Sequence, residues 1–250
     1  METLLSRRSI RIYKDKKIED STLDYILKAA VRSSNCGNMQ LYSIIVTKSD
    51  EIKKKLLPLH FGQPMVTNAP IVVTICADIN RFHKWCKINN ANDGLDNFLF
   101  LNIATIDATI CSQSLATAAE EKGLGLCYLG TVNYNAKDIA KALNLPKGVV
   151  PVTCITLGYP DETPSLTERL PINAVVHKDI YKDYTDSQIK DFYKEIEANP
   201  QNQIFVKENN KQNLAQVFAE VRYAQEGNEE FSKKYKDFVN SQFLSKENQL

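Results

Sequence analysis

Arg7, Arg8 and Arg11 fall within five residues, Arg7-Arg8-Ser9-Ile10-Arg11. A guanidinium is a planar fork of donors that matches the oxygens of a phosphate, and the Ser9 hydroxyl adds one more hydrogen bond to an anionic ligand. Alone, such a run reads as a solvated basic turn ahead of the first long helix. An anion site requires other segments that point to the same ligand. No catalytic nucleophile arrangement stands beside it. His60, His83 and His177 are scattered, and there is no Gly-x-Ser-x-Gly elbow, Walker loop or Gly-x-Gly-x-x-Gly loop. If the chain is an enzyme, its reactivity belongs to a cofactor. A zinc site wants close pairs of the CxxC kind; His83-Lys84-Trp85-Cys86 comes nearest and lacks a second pair, so no metal is expected.

The elements that must position these groups can be read from periodicity. Ser21-Thr22-Leu23-Asp24 has the form of a capping box, and Leu23, Ile26, Leu27 and Ala30 repeat at helical spacing, which predicts a helix ending near Val31-Arg32-Ser33. Residues 41–47 (LYSIIVT) are rich in β-branched side chains and read as a strand. Residues 52–57 read as a short helix stopped by Pro58. Pro70 opens a second strand, IVVTICA, apolar nearly throughout and so buried on both faces. A third, residues 150–157 (VPVTCITL), closes with the turn Gly158-Tyr159-Pro160. Residues 97–122 leave little polar face, which predicts a helix that is central or forms an interface with another subunit. Gly123 and Gly125 are expected to end it as caps. Helices interleaved with buried strands make an α/β or α+β domain.

The last third carries three amphipathic stripes, the first Ile189, Phe192, Tyr193 and Ile196, and the second Leu214, Val217, Phe218 and Val221. Phe231, Tyr235 and Phe238 form the third. Residues 199–213 between the first two are polar apart from Ile204-Phe205-Val206 and read as a mobile loop. The expected organisation is one domain over 1–250, with 185–250 a helical extension that packs on the core or on a partner subunit.

With 250 residues, 43% hydrophobic and 24% charged, the composition is that of a soluble globular protein with one large core. A net charge of +1 gives no basic excess for a nucleic-acid or membrane surface. METLLSRRSIR is too short in apolar residues for a signal peptide, no apolar run approaches a membrane span, and a cytoplasmic location is expected. The six cysteines, at 36, 76, 86, 111, 127 and 154, are then reduced thiols, mostly buried.

RRSIRIYKDKKI, SSNCGNMQLYSIIV, GLGLCYLGTV, PVTCITLGYP and ERLPINAVVH, in that order, resemble the flavin-dependent nitroreductase family. The chain is most similar to its NADPH-preferring nitroreductase/flavin reductase branch, and NLAQVFAEVRYAQEGNEEFSKKY extends the likeness into the tail. The resemblance implies an α+β fold, a mixed sheet flanked by helices, in an intertwined homodimer with FMN at the interface. It also implies NADPH (or NADH) as electron donor and a small-molecule acceptor. By the family's pattern Arg7 and Arg8 meet the FMN phosphate, Ser9 lies near the ribityl chain, and Arg11 lies toward the pyrimidine edge, where a cation stabilises reduced flavin. Ser34, Asn35, Asn38 and Gln40, contributed by the partner subunit, would surround the ring and ribityl groups, and Gln63 would hydrogen-bond the flavin. Tyr128, Leu129, Gly130 and Thr131 would line the isoalloxazine, and Arg169 would return to the phosphate. The branch commonly has a lysine two residues before that arginine; here Thr167 stands there.

The implied activity is two-electron transfer from NAD(P)H through flavin N5 to nitroaromatic, quinone or flavin acceptors, with ping-pong kinetics and no dedicated acid or base. Lys207, Lys211 or Arg222 could meet the 2′-phosphate of NADPH, although a solvated face explains them equally well. Two alternatives stay open: a reductive dehalogenase or flavin-consuming enzyme of the same fold, and a flavin-binding redox sensor without turnover. The sensor predicts bound FMN that either nicotinamide reduces slowly.

Overall fold

The computed structural model of the protein describes residues 2–244. In chain order its elements are α1 (Glu2–Leu5), α2 (Asp20–Ala30), β1 (Tyr42–Thr47), α3 (Asp50–Leu59), α4 (Met65–Asn68), β2 (Ile71–Asp78), α5 (Asn80–Ile88), α6 (Phe98–Glu121), β3 (Gly125–Leu129), α7 (Ala136–Ala142), β4 (Val149–Gly158), α8 (Asp186–Ala198), α9 (Pro200–Glu208), α10 (Leu214–Val217) and α11 (Gln225–Gln242). They form two compact units. One runs to Pro164 and resumes at Ser232; the other is Ser165–Phe231.

The first unit is built on a sheet ordered β1-β2-β4-β3. All of its pairs are antiparallel, where a mixed sheet was expected; the α+β class stands. β2 is buried along its whole length, as a strand with apolar residues on both pleats must be. Ile71, Val73 and Ile75 of β2, with Ile155 and Leu157 of β4, meet Ile26 of α2 and Leu115 and Ala119 of α6. Val72 and Cys154 join Leu56 of α3, Val66 of α4 and Ile139 of α7 in a second cluster. Each such fully buried Ile or Leu contributes about 1.5–3 kcal/mol relative to exposure. Pro151 lies in a central strand beside the register shift between Ile75 and Cys76, a place where a missing N–H is tolerated.

Several expectations need correcting. No capping box forms at Ser21: α2 starts at Asp20, after Glu19, which makes no side-chain cap. Pro58 lies inside α3, in its last turn, where little helix remains for its missing N–H to break. Gly123 does end α6, at φ +75°, but Gly125 belongs to β3. By length and composition α6 is also apolar enough to cross a membrane, contrary to expectation. It packs instead on α2 and the sheet, burying Ala104, Ala108, Cys111, Leu115 and Ala119, while Phe98, Leu99, Ile106 and Ile110 stay exposed.

In the second unit the stretch read as a loop contains α9. Asn199 caps it by accepting from Gln201 N–H at 2.8 Å, and Pro200 occupies the first helical position. Val206 of α9 packs with Leu214 and Val217 of α10. Helix α8 carries a full capping box between Thr185 and Gln188. α11 begins in this unit and ends in the first, where Phe238, Val239 and Phe243 join Ala136, Ala140 and Val150.

Candidate functional site

Two glycines facing each other across the β3–β4 pair, Gly125 and Gly158, make the seat of the arginine run. A Cβ on Gly125 would stand 2.6 Å from Ile10 Cγ1, and one on Gly158 would stand 2.8 Å from Tyr13 Cδ1. The absent side chains let residues 10–14 lie directly on the edge of the sheet. Ile10 N–H donates to Leu126 O and Lys14 N–H to Tyr159 O, each at 2.9 Å. The Glu162 carboxylate accepts from the amides of Arg11 and Ile12. Ile10 is buried and packs with Cys127 of β3, and the side chains of Ser9 and Arg11 interact with the Cys127 thiol. Burial raises the pKa of that thiol, and Arg11 and Arg7 partly offset the rise.

The guanidinium groups differ in what they meet. Arg8 is engaged by backbone carbonyls, donating to Ser6 O at 3.2 Å and Pro164 O at 2.8 Å. Arg7 lies 5.5 Å from the Tyr128 ring centroid and 3.4 Å from Glu120 of α6. Its Nε and Nη2 are nonetheless buried without a hydrogen-bond partner, as is Glu120 Oε2. Burial raises the Glu120 pKa, against the pull of Arg7. A cavity of about 400 Å³ adjoins this pair, lined by Arg7, Arg8, Glu120, Gly125 and Glu162. Arg169 belongs to the second unit, folded onto its own segment: Nη1 donates to Thr167 Oγ1 at 2.7 Å and to Glu168 O at 2.9 Å. Lys211 there pairs with Glu220 at 2.7 Å, and the Arg222 guanidinium lies 4.1 Å from the Phe205 ring centroid.

β3 delivers the next group. Leu129 is buried and Tyr128 half-buried, its hydroxyl 3.4 Å from Ser112 Oγ. Gly130 opens a single helical turn through Asn133, with nothing within 4 Å of where a Cβ would stand. Thr131 follows, its hydroxyl 2.7 Å from His60 Nδ1. His60 is fully buried, its Nε2 has no partner, and desolvation lowers its pKa from 6.5 to about 4. Its carbonyl accepts from Gln63 N–H at 3.2 Å, while Asn135 Nδ2 donates to Leu59 O at 2.8 Å. The His60–Thr131 bond thus joins the segment bearing Gln63 to the turn, and the Asn135–Leu59 bond joins it to the chain just after the turn.

Ser34, Asn35, Asn38 and Gln40 form a separate group before β1. Gly37, Asn38 and Gln40 take left-handed backbone angles, φ +55°, +55° and +53°. That region costs an L-residue roughly 1–2 kcal/mol, least for asparagine. Asn35 Oδ1 accepts from Gln40 N–H at 3.2 Å, and Gln40 Nε2 donates to Asn38 O at 3.3 Å. Asp107 of α6, 2% exposed, accepts from Cys36 N–H at 2.9 Å and Leu41 N–H at 3.3 Å. A cavity of about 260 Å³ lies beside it, lined by Ser34, Asn35, Cys36, Ile103 and Ile106.

The structure therefore brings Arg7, Ser9, Arg11, Gln63 and Tyr128–Thr131 to the β3 side and Ser34–Gln40 to the β1 edge. These edges are three strand spacings apart, about 14 Å. Sequence reasoning missed Glu120, His60 and Asp107. Only Asp107 had a signal of its own, as an acid in the middle of an apolar helix. Among the described residues no group of three or more His, Cys, Asp or Glu could hold a metal ion.

The family model described as the Nitroreductase family matches residues 4–159. The oxygen-insensitive NADPH nitroreductase of Salmonella typhimurium is 34% identical over 200 residues, covering 77% of this chain and 82% of that one. The FMN reductase (NADPH) of Bacillus subtilis is 30% identical over 207 residues, 78% of this chain and 83% of that one. A crystal structure of a Bacteroides fragilis protein superposes with a TM-score of 0.95 at 44% identity, covering 97% of this chain and 98% of that one.

Proposed function

The chain belongs to the nitroreductase family, and from that premise we propose an FMN-dependent NAD(P)H oxidoreductase acting on nitroaromatic, quinone or flavin acceptors. The observation that carries the cofactor is Arg7, whose Nη2 is buried without a hydrogen-bond partner beside a cavity large enough for a phosphate, while its Nε faces Glu120. Such donors fit an anion's oxygens. Gly130 fits as well, since open space in place of a side chain admits a flat ring against the backbone. Glu120 works against an anion at the same place, so Arg7 must be shared between carboxylate and phosphate.

FMN, when bound, would supply two-electron redox chemistry between NAD(P)H and the acceptor, and a ping-pong scheme is the proposed kinetic order. The chain's own residues bind and orient. Arg7 and Ser9 would hold the phosphate and ribityl end. Arg11 would stabilise negative charge at the pyrimidine edge. Gln63 and Tyr128–Thr131 would line the ring. Ser34, Asn35, Asn38 and Gln40 would come from a second copy of the chain, a proposal supported by their place at the opposite edge of the sheet and by the exposed Phe98, Leu99, Ile106 and Ile110 on α6. NADPH is the proposed donor because the named relatives use it. Six free thiols suit a cytoplasmic location.

Anaerobic stopped-flow mixing with NADPH and NADH tests this reading through flavin absorbance. Rapid bleaching, faster with NADPH and reversed by a nitroaromatic or quinone, is expected. A yellow protein that neither donor reduces would mean a binding or sensing role, and a chain that cannot take up FMN would remove the cofactor assignment.

A further inference from the structure

We propose that Asp107 is a positioning residue for the flavin site, acting through the turn between Cys36 and Leu41, with Arg81 closing the same turn from the solvent side. The inference rests on the reading that Asn38 and Gln40 face the flavin.

Both oxygens of the Asp107 carboxylate are committed to this turn. One accepts from the amide that enters it, Cys36, and the other from the amide that leaves it, Leu41. A single buried group therefore fixes the distance between the two ends of the turn. Between those ends, three of four consecutive residues are left-handed, including the non-glycine Asn38 and Gln40. Such angles persist only where surrounding structure over-determines them. The bonds inside the turn are local amide contacts and do not anchor it to the fold. Arg81, in the first turn of α5, donates to the carbonyls of Gln40 and Tyr42, the second at 3.1 Å. Donors and acceptors at the exit of the turn are thus gripped from two elements. The neighbours of Asp107 on its helix, Ala104, Ala108 and Cys111, are apolar and fully buried, so the two amides are the hydrogen bonds its carboxylate makes.

The test is a double-mutant cycle on FMN affinity, read from flavin fluorescence, with the visible spectrum of the bound flavin as a second readout. Gln40→Ala is expected to weaken FMN and shift its visible band. Asp107→Asn keeps one acceptor but turns a donor toward an amide, and is expected to weaken FMN about tenfold with the same spectral shift. If Asp107 acts through the turn, Asp107→Asn/Gln40→Ala will bind no more weakly than the worse single variant. A brace with no part in positioning gives losses that multiply across the cycle. Arg81 is exposed, so Arg81→Ala carries the same coupling test if Asp107→Asn does not fold. Wild-type affinity and spectrum in both Asp107→Asn and Arg81→Ala, or multiplying losses, overturn the proposal. Wild-type affinity in Gln40→Ala overturns it through its premise, and stopped-flow reduction of the wild type then shows whether the oxidoreductase reading survives.

Discussion

The turn between Cys36 and Leu41 and the turn from Gly130 to Tyr134 present polar groups at opposite sides of one sheet, and each is braced by one buried titratable side chain. At the first, a carboxylate holds two backbone amides, so the path of the chain itself is fixed. At the second, an imidazole holds a side-chain hydroxyl, and the backbone at Gly130 is left open. One brace shapes the turn; the other orients a single residue on it. Damage to the first should spread through all residues between its ends, whereas damage to the second should stay near Thr131.

The largest expected effect is at Asp107. Asp107→Ala leaves two amides unpaired, a loss of about 3 kcal/mol that lowers the melting temperature on the order of 10 °C in a chain of this size. A melting curve superposable on the wild type would break the comparison at its stronger end.

The His60 brace makes a pH-dependent prediction of similar size. Its pKa is lowered on folding, so between pH 6.5 and about 4 the unfolded chain takes up a proton that the native chain refuses. Stability from this residue is full above pH 6.5 and is lost as the pH falls toward 4, by on the order of 3 kcal/mol. Denaturant titrations at several pH values, comparing wild type with His60→Asn, should show that excess slope in the wild type alone. Parallel profiles would mean that His60 is not held neutral.

Thr131→Val removes the hydroxyl partner while keeping the shape, and should destabilise by about 1–2 kcal/mol because Nε2 of the same ring is already unpaired. Thr131→Ser should restore most of the loss; failure to do so would shift the brace from the hydroxyl to the methyl group. The smallest change is expected from Glu120→Gln. With the competing charge beside Arg7 gone, FMN should bind a few-fold more tightly, on the order of 1 kcal/mol or less. Weaker binding would make Glu120 an orienting group for Arg7 rather than a competitor.

Much of the frame was legible in the sequence. The strands at 42–47, 71–78 and 149–158 and the long helix α6 follow from runs of apolar residues whose periods leave little choice. Local signals were less reliable in both directions. Ser21 looked like a cap and is not one, because α2 begins two residues earlier than that cap implies, whereas Asn199-Pro200 opens α9 inside a stretch whose polarity suggested a loop. At the site, residue types were readable and their attachments were not. Nothing near Arg7 in the chain announces Glu120, and Thr131 lies 71 residues from His60. Gly125 shows the same limit: it was read as a helix cap, and its reason is Ile10, held above it on the sheet edge. Patterns report what each residue does for its own element; pairing across the sheet is set by tertiary packing.

Because β1 and β3 are the two edge strands, defects in the proposed dimeric site should sort into two complementation groups. A chain disabled at Arg7 and a chain disabled at Gln40 would each be inactive alone. Co-expressed, they would form mixed pairs in which one site inherits both defects and the other inherits neither. Random pairing would return about a quarter of the wild-type sites.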